Sequence, residues 1–339
     1  MDVFFSFIVP VYNRPQEVGE LLHSLAQQTY AEPFEVVVVE DGSTQTSAAV
    51  VREYAQRLTI SYHQKLNSGP GSSRNYGMER ARGNYFIILD SDCILPPHYL
   101  SAVQRALEED FVHCFGGPDA AHASFTPVQK AINYAMTSLF TTGGIRGGKK
   151  SVNRFQPRSF NMGISKEAFG KVGGYGNIHP GEDPDLTIRI WKEGYGTRLF
   201  PEAYVYHKRR IDWNKFYVQV NKFGMVRPIL NQWHPHTASV VYWFPTVFLL
   251  GLVLALVLPL LGLWWPILGY GAYFMLLLAD ALIKTRSLRV SLMALWATLV
   301  QFFGYGLGFL KSYLYLKLGQ KNAEQRFPNL FFDSKGQMR

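Results

Sequence analysis

Cysteine is almost missing from this chain: among 339 residues there are two, Cys93 and Cys114, both in apolar surroundings and without CxxC spacing. That excludes a disulfide framework and a thiolate zinc site. Both are expected as buried free thiols in a reducing compartment, with no metal or redox role. A secretory leader is not expected either. The start, MDVFFSFIVPVYNRP, has an acid at Asp2, no basic n-region, and too short an apolar run before Asn13 and Arg14. The dinucleotide fingerprint GxGxxG fails as well. Gly69-Pro70-Gly71 meets its next glycine only at Gly77, after a third strand rather than the first. What remains there is a glycine turn opening a helix, where Arg74 and backbone N–H groups could meet an anion or serve as an ordinary cap and surface residue.

Charge is what residues 240–283 lack: in 44 positions Asp280 is the only charged residue. One span needs about 20 apolar residues, so this stretch reads as two spans joined near GLWWP, at about 240–261 and 264–283. Trp243, Trp264, Trp265 and Tyr270 fall where interfacial aromatics belong. A third apolar segment, 290–310, is interrupted by Gln301 and by Gly304, Gly306 and Gly308. With the N-terminal part cytoplasmic, KTRSLR (284–289) returns to the cytoplasm, as the positive-inside rule prefers. A third full span would then export Lys311, Lys317, Lys321 and Arg326, against the same rule. The third segment is therefore expected either to span or to lie in the interface. The expected organisation is 1–235 as a catalytic domain, 236–318 as a membrane or interfacial helical region, and 319–339 as a basic tail.

Net charge is +9, concentrated where Lys208, Arg209, Arg210, Lys215, Lys222 and Arg227 face the single acid Asp212. Such a cluster suits a polyanion. Beside the first span, anionic lipid headgroups are the simpler partner, and no nucleic acid is expected. Upstream, apolar runs alternate with helical patterns: strands at 4–11, 34–40, 58–63 and 84–90, helices near 16–28, 46–57 and 71–82. That alternation predicts an open α/β sheet whose ligands bind beyond the carboxyl ends of its strands. Those ends carry Tyr12-Asn13-Arg14, Glu40-Asp41-Gly42-Ser43 and Asp90-Ser91-Asp92. Each alone is an ordinary turn or helix entry. Three polar clusters at one sheet edge point to a shared site. The segment PVQKAINYAMTSLF (127–140) has one broad apolar stripe, for core packing or for lipid.

FIVPVYNR, VVVVEDGST, GPGSSRNYG, ARGNYFIILDSD, FNMGISKEAFGKVGGYG, GEDPDLTIRIWKEGY and AYVYHKR resemble, in order and spacing over about residues 4–210, a family 2 glycosyltransferase of GT-A fold. The resemblance implies that a Rossmann-like nucleotide-sugar-binding domain precedes the membrane helices. It implies that Pro10, Tyr12, Arg14, Glu40 and Asp41 hold base and ribose. Asp90-Ser91-Asp92 would be the Asp-x-Asp motif, with Asp90 and Ser91 toward the nucleotide-sugar and Asp92, with Asp90, on Mg²⁺ or Mn²⁺. Hard cations bridging a diphosphate take carboxylate oxygens. His207 would be a further metal ligand, and Asn161 and Gly163 would line the donor sugar. Gly181-Glu182-Asp183 matches the acceptor-side motif, so Asp183 would be the base of an inverting transfer and Glu182 its helper. The alternative for Asp183 is a helix N-cap ahead of Pro184, where backbone N–H groups would lower its pKa. The loop 141–154 is a lid or a surface loop.

The Gln-x-x-Arg-Trp motif of processive members is missing from 213–230, which disfavours a polymerase. The expected activity is transfer of one sugar from a nucleotide-diphosphate sugar to a lipid-linked glycan, at the cytoplasmic face of a bacterial inner membrane. Transfer to a polyprenyl phosphate and a non-catalytic nucleotide-sugar sensor or scaffold are the competing readings.

Overall fold

In the computed structural model, residues 3–120, 125–142, 155–207, 212–319 and 322–332 are described. In chain order the first half runs β1 (Phe5–Val11), α1 (Pro15–Leu25), β2 (Glu35–Asp41), α2 (Ala48–Tyr54), β3 (Thr59–Lys65), α3 (Pro70–Arg80), β4 (Tyr85–Leu89), β5 (Cys93–Ile94), α4 (Tyr99–Glu109), β6 (Cys114–Gly116) and β7 (Asp119–Ala120). Then come α5 (Pro127–Thr137), α6 (Leu139–Thr142), β8 (Asn161–Ser165), α7 (Lys166–Val172), α8 (Glu182–Lys192), β9 (Thr197–Leu199) and β10 (Val205–His207). The rest is helical: α9 (Trp213–Trp233), α10 (Phe244–Val257), α11 (Trp265–Thr285), α12 (Leu288–Lys317) and α13 (Ala323–Arg326).

The contacts divide the chain into two units. The first comprises Met1–Ala120, Lys149–His207 and Phe327–Arg339. Its main sheet has the order β3-β2-β1-β4-β8-β6-β9. β1 pairs in parallel with β2 and β4, while β8 runs antiparallel between β4 and β6. β2 is buried along its whole length, as an apolar β-branched strand covered on both faces should be. Because β1 lies between strands reached by crossovers in opposite directions, its C-terminal end borders the crevice where such sheets bind ligands. A second, three-stranded sheet sets β10 between β5 and β7 and puts His207 opposite Cys93. The mixed sheet flanked by helices, followed by apolar helices, is the expected α/β architecture.

The second unit comprises Ala121–Gly148 and Lys208–Arg326. Helices at Val240–Leu261, Trp265–Thr285 and Leu288–Lys317 are long and apolar enough to cross a membrane. The stripe on α5 packs inside this unit: Ile132, Ala135 and Met136 cluster with Phe216, Val220 and Ala297. Leu139 and Phe140 remain exposed. Two of the glycines that break the third apolar segment, Gly304 and Gly308, bring α12 against α9, and Gly306 meets Pro245 of α10. A Cβ on Gly308 would fall 2.3 Å from the Asn221 carbonyl oxygen, and one on Gly304 would fall 2.6 Å from Val220. Small residues permit such close helix approach. Asp280 accepts from the Tyr134 hydroxyl and pairs with Lys284 at 2.9 Å, which ties α11 to α5.

The contacts group the chain differently from its linear order. Residues 121–148 and 208–235, expected with the catalytic domain, cluster with the apolar helices. Residues 327–332, expected in a tail, are built into the first unit, with Phe327, Leu330 and Phe331 buried.

Candidate active site

Three strand ends and one helix start build the site. β4 ends at Leu89, and the next three residues turn so that Asp90 and Asp92 meet different arginines while both lie within 4 Å of His207. Asp92 Oδ2 accepts from Arg14 Nη1 at 2.6 Å, while its Oδ1 lies 3.1 Å from His207 Nε2. Burial alone would raise the Asp92 pKa, but His207 and then Arg14 hold it well below the usual carboxylate range. Asp90 Oδ1 accepts from Arg74 Nη2 at 2.8 Å. The other arm of that guanidinium, Nη1, reaches Glu182 Oε1 at 3.1 Å. Arg74 is buried in the first turns of α3, with its guanidinium 5.3 Å from the centre of the Tyr175 ring. It therefore links the acids after β4 to the acids opening α8, and is neither an ordinary cap nor a surface residue.

Glu182 and Asp183 are neighbours with opposite chemistry. Burial would raise the Glu182 pKa. The His179 ring, 3.0 Å away, and then Arg74 overcome that and hold it at about 2. Asp183 shifts the other way. Burial first and the Glu182 charge second push its carboxyl above the ordinary aspartate value, against Arg74 and Arg158. The N-cap of α8 is Gly181, in a left-handed conformation (φ 120°), and no side chain caps the helix. The capping alternative for Asp183 therefore does not hold. Its Oδ1 is buried without a hydrogen-bond partner. A buried carboxylate oxygen left open is costly unless a ligand meets it.

The residues expected around the base and ribose lie at the same edge, but two are already engaged. Glu40 is buried and accepts from Ser43 Oγ, the Ser47 N–H and the Tyr62 hydroxyl. Asp41 pairs with Lys65 and accepts from the N–H groups of Ser68 and Gly69. Both hold the loops after β2 and β3 in shape. Pro10 is the penultimate residue of β1 and Ser91 is buried in the turn, whereas Tyr12 is 54% exposed and open to a ligand. Asn161 and Gly163 are not brought into the site. Asn161 is fully buried between the Tyr99 hydroxyl (2.6 Å) and the Ala203 carbonyl (2.8 Å). A Cβ on Gly163 would meet the Phe115 ring at 2.0 Å, so core packing accounts for that glycine. Residues 143–154 of the expected lid, and Lys208, Arg209 and Arg210, lie outside the described residues.

A divalent cation fits the end of this network. Asp92, Cys93 and His207 place one donor atom each within 4.8 Å of one another. Asp92 Oδ1 is buried and lies 3.1 Å from His207 Nε2, so a carboxylate oxygen and an imidazole nitrogen converge on one point. That donor pair suits Mn²⁺ or Mg²⁺. Cys93 is the poorer third donor: burial pushes its thiol well up, and Sγ lies 3.3 Å from the Phe160 carbonyl. Sequence reasoning missed His179 and the bridging role of Arg74. His179, three residues before Glu182, was the available signal.

Residues 6–173 match the family model of Glycosyl transferase family 2. An uncharacterized glycosyltransferase of Rickettsia bellii is 36% identical over 109 residues, 32% of this chain and 16% of that protein. The poly(ribitol-phosphate) beta-N-acetylglucosaminyltransferase TarS of Staphylococcus aureus is 43% identical over 108 residues, 31% of this chain and 19% of that one. The matched stretch is thus under a fifth of either relative's length. Among solved structures, the mannosyltransferase PcManGT of Pyrobaculum calidifontis, in complex with GDP-Man and Mn²⁺, aligns with a TM-score of 0.58. That alignment covers 91% of this chain and 88% of that one at 17% identity, a likeness of fold.

Proposed function

We propose that this chain, which belongs to glycosyl transferase family 2 through residues 6–173, transfers one sugar from a nucleotide-diphosphate donor to a hydroxyl of a lipid-linked glycan, with inversion. The observation that carries this reading is Asp183. It is a buried carboxylate with an open oxygen and a raised pKa, one bond along the chain from a Glu182 held ionised. A base must bind a proton strongly enough to take it from a hydroxyl, and burial beside a like charge supplies that. Glu182 keeps Asp183 basic, and Arg74 and His179 keep Glu182 in place. A base also fits a hydroxyl acceptor better than a phosphate acceptor, which needs none.

Asp92 and His207 would hold Mg²⁺ or Mn²⁺, which when bound stabilises the charge developing on the departing diphosphate. Arg14 orients Asp92, and Arg74 orients Asp90 toward the nucleotide. PcManGT, alike in fold, is complexed with GDP-Man and Mn²⁺, and TarS is named for transfer to poly(ribitol phosphate). These support a nucleotide-sugar donor and a cell-surface glycan acceptor.

Connectivity supports a membrane placement. The chain leaves the first unit for the apolar helices, and Phe327–Phe332 belong to the first unit again. A chain that leaves one side of a bilayer and returns to it crosses an even number of times. We therefore read Val240–Leu261 and Trp265–Thr285 as crossing the membrane and Leu288–Lys317 as lying in its interface. The mean hydropathies, 2.6, 1.6 and 1.5, and the 44% burial of the third helix support that order. Lys284, Arg286, Arg289, Lys311 and Lys317 then share one face of the bilayer, which the positive-inside rule favours as cytoplasmic.

The test is transfer or donor hydrolysis by purified protein with Mn²⁺ across UDP- and GDP-sugars, with product configuration read by NMR. Asp183→Asn and Asp92→Asn should each lose about 10²-fold or more of the rate. If both variants match the parent, a non-catalytic sensor is the better reading.

A further inference from the structure

The residues that follow the third apolar helix contain a short aromatic run, Phe327-Pro328-Asn329-Leu330-Phe331-Phe332. It lies in the first unit and runs beside the loop that leads into Glu182. The His179 N–H donates to the Leu330 carbonyl at 2.8 Å, and the Phe332 N–H donates to the Asn177 carbonyl at 3.0 Å. Ile178 and Phe331 form an antiparallel bridge between those two bonds. Phe331 is wholly buried, and so are nearly all of Phe327 and Leu330. Phe332 turns to the other side of the site. Its ring covers Gly69 so closely that a Cβ there would fall 2.3 Å from Cε2. Gly69, at φ 84°, is the N-cap of the helix that carries Arg74, and its N–H holds Asp41. Phe332 also sits 6.2 Å, ring centre to ring centre, from His179.

Six residues thus touch both halves of the site. One is the turn that anchors Asp41 and starts the Arg74 helix. The other is the loop in which His179 holds Glu182. We propose that Phe331 and Phe332 are positioning residues for sugar transfer. Phe331 fixes the loop 177–182 through strand pairing, so that His179 reaches Glu182 and Asp183 keeps its place. Phe332 fixes the Gly69 turn against that loop. The inference rests on the reading of Asp183 as the base. Pairing through backbone groups gives the loop a geometry that its own glycines, Gly176 and Gly181, do not impose. A misplacement of about 1 Å at a reacting group costs on the order of 10²-fold in rate.

The test uses the full-length protein with Phe331→Ala, Phe332→Ala and Phe332→Leu, and reads amide hydrogen exchange together with kcat and the donor KM. In Phe331→Ala the amides of His179 and Glu182 should exchange roughly tenfold faster or more. Its kcat should fall by about tenfold to a hundredfold with the donor KM within about twofold of the parent. Phe332→Ala should raise the donor KM and speed exchange at Gly69, and Phe332→Leu should restore most of both. Unchanged exchange and kcat in both alanine variants would overturn the proposal. So would exchange that rises equally in β1 and β2, because the run would then only add to overall stability. Faster exchange confined to 177–182 and Gly69, in a parent that transfers no sugar, upholds the docking and sinks the transferase reading instead.

Discussion

Replacing Arg74 by Met would leave two carboxylates facing a space that their shared cation had filled. The guanidinium sits 2.8 Å from Asp90 and 3.1 Å from Glu182. At an effective dielectric constant near 20, those separations correspond to gross attractions of about 6 and about 5 kcal/mol. Desolvation of the buried guanidinium offsets much of that. Breaking a buried ion pair by removing one partner typically costs about 3–5 kcal/mol. The depressed Glu182 pKa reflects part of the same pairing. Holding Glu182 at about 2, against 4.5 for an ordinary glutamate, corresponds to about 3 kcal/mol, shared between His179 and Arg74.

At about 2–4 °C per kcal/mol, Arg74→Met should lower the unfolding temperature of the first unit by about 6–20 °C at pH 7. The pH dependence has a definite sign. The Glu182 pKa is depressed on folding, so its stabilisation is complete above pH 4.5 and is lost as pH falls toward about 2. The gap between parent and variant should therefore be widest at neutral pH and close on acidification. Thermal unfolding in detergent from pH 7 to pH 3, followed by near-ultraviolet circular dichroism, reads both. A drop under about 3 °C at pH 7, or a gap that does not narrow with acid, would refute the bridge. Arg74→Lys should fall between the two, since one ammonium cannot reproduce a fork with separate nitrogens on separate acids.

In Glu182→Gln the like charge that raises the Asp183 pKa is gone. The acid limb of the pH–rate profile, set above the ordinary aspartate value in the parent, should shift to lower pH. His207→Ala should weaken Mn²⁺ binding by roughly tenfold or more, read by electron paramagnetic resonance titration, since a metal-facing nitrogen is lost. Gly163→Ala should destabilise by about 1–3 kcal/mol through its clash with Phe115 while leaving donor affinity unchanged in calorimetry. A loss of donor affinity without a loss of stability would return Gly163 to the donor site.

Much of the architecture was legible in the sequence because it depends on local pattern. Apolar β-branched runs such as 35–41 make buried parallel strands in any context. Forty-four residues with one charge have few solutions other than membrane helices. The strand ends that collect Arg14, Asp41 and Asp90-Ser91-Asp92 followed from the same alternation, because a doubly wound sheet exposes one set of ends. The direction of a side chain at such an end is another matter. Asn161 and Gly163 stand on the strand beside β4, yet they face Tyr99, Ala203 and Phe115 instead of the crevice. Register and twist choose that face, and both are set by strands distant in sequence.

Long-range contact decided the rest. The chain itself determined that acids stand at 90, 92, 182 and 183 and that an arginine stands at 74. Only folding put that arginine between residues 16 positions after it and 108 positions after it. The same holds for protonation: Glu182 and Asp183 are adjacent acids of nearly equal intrinsic strength. Their pKa values part because one meets His179 and Arg74 while the other is buried with an open oxygen beside a like charge. Composition likewise showed a basic C-terminal stretch, and its aromatic run became part of the first unit through backbone pairing with Asn177–His179. Local propensity is a property of neighbours along the chain, whereas burial, charge pairing and strand partnership depend on neighbours in space.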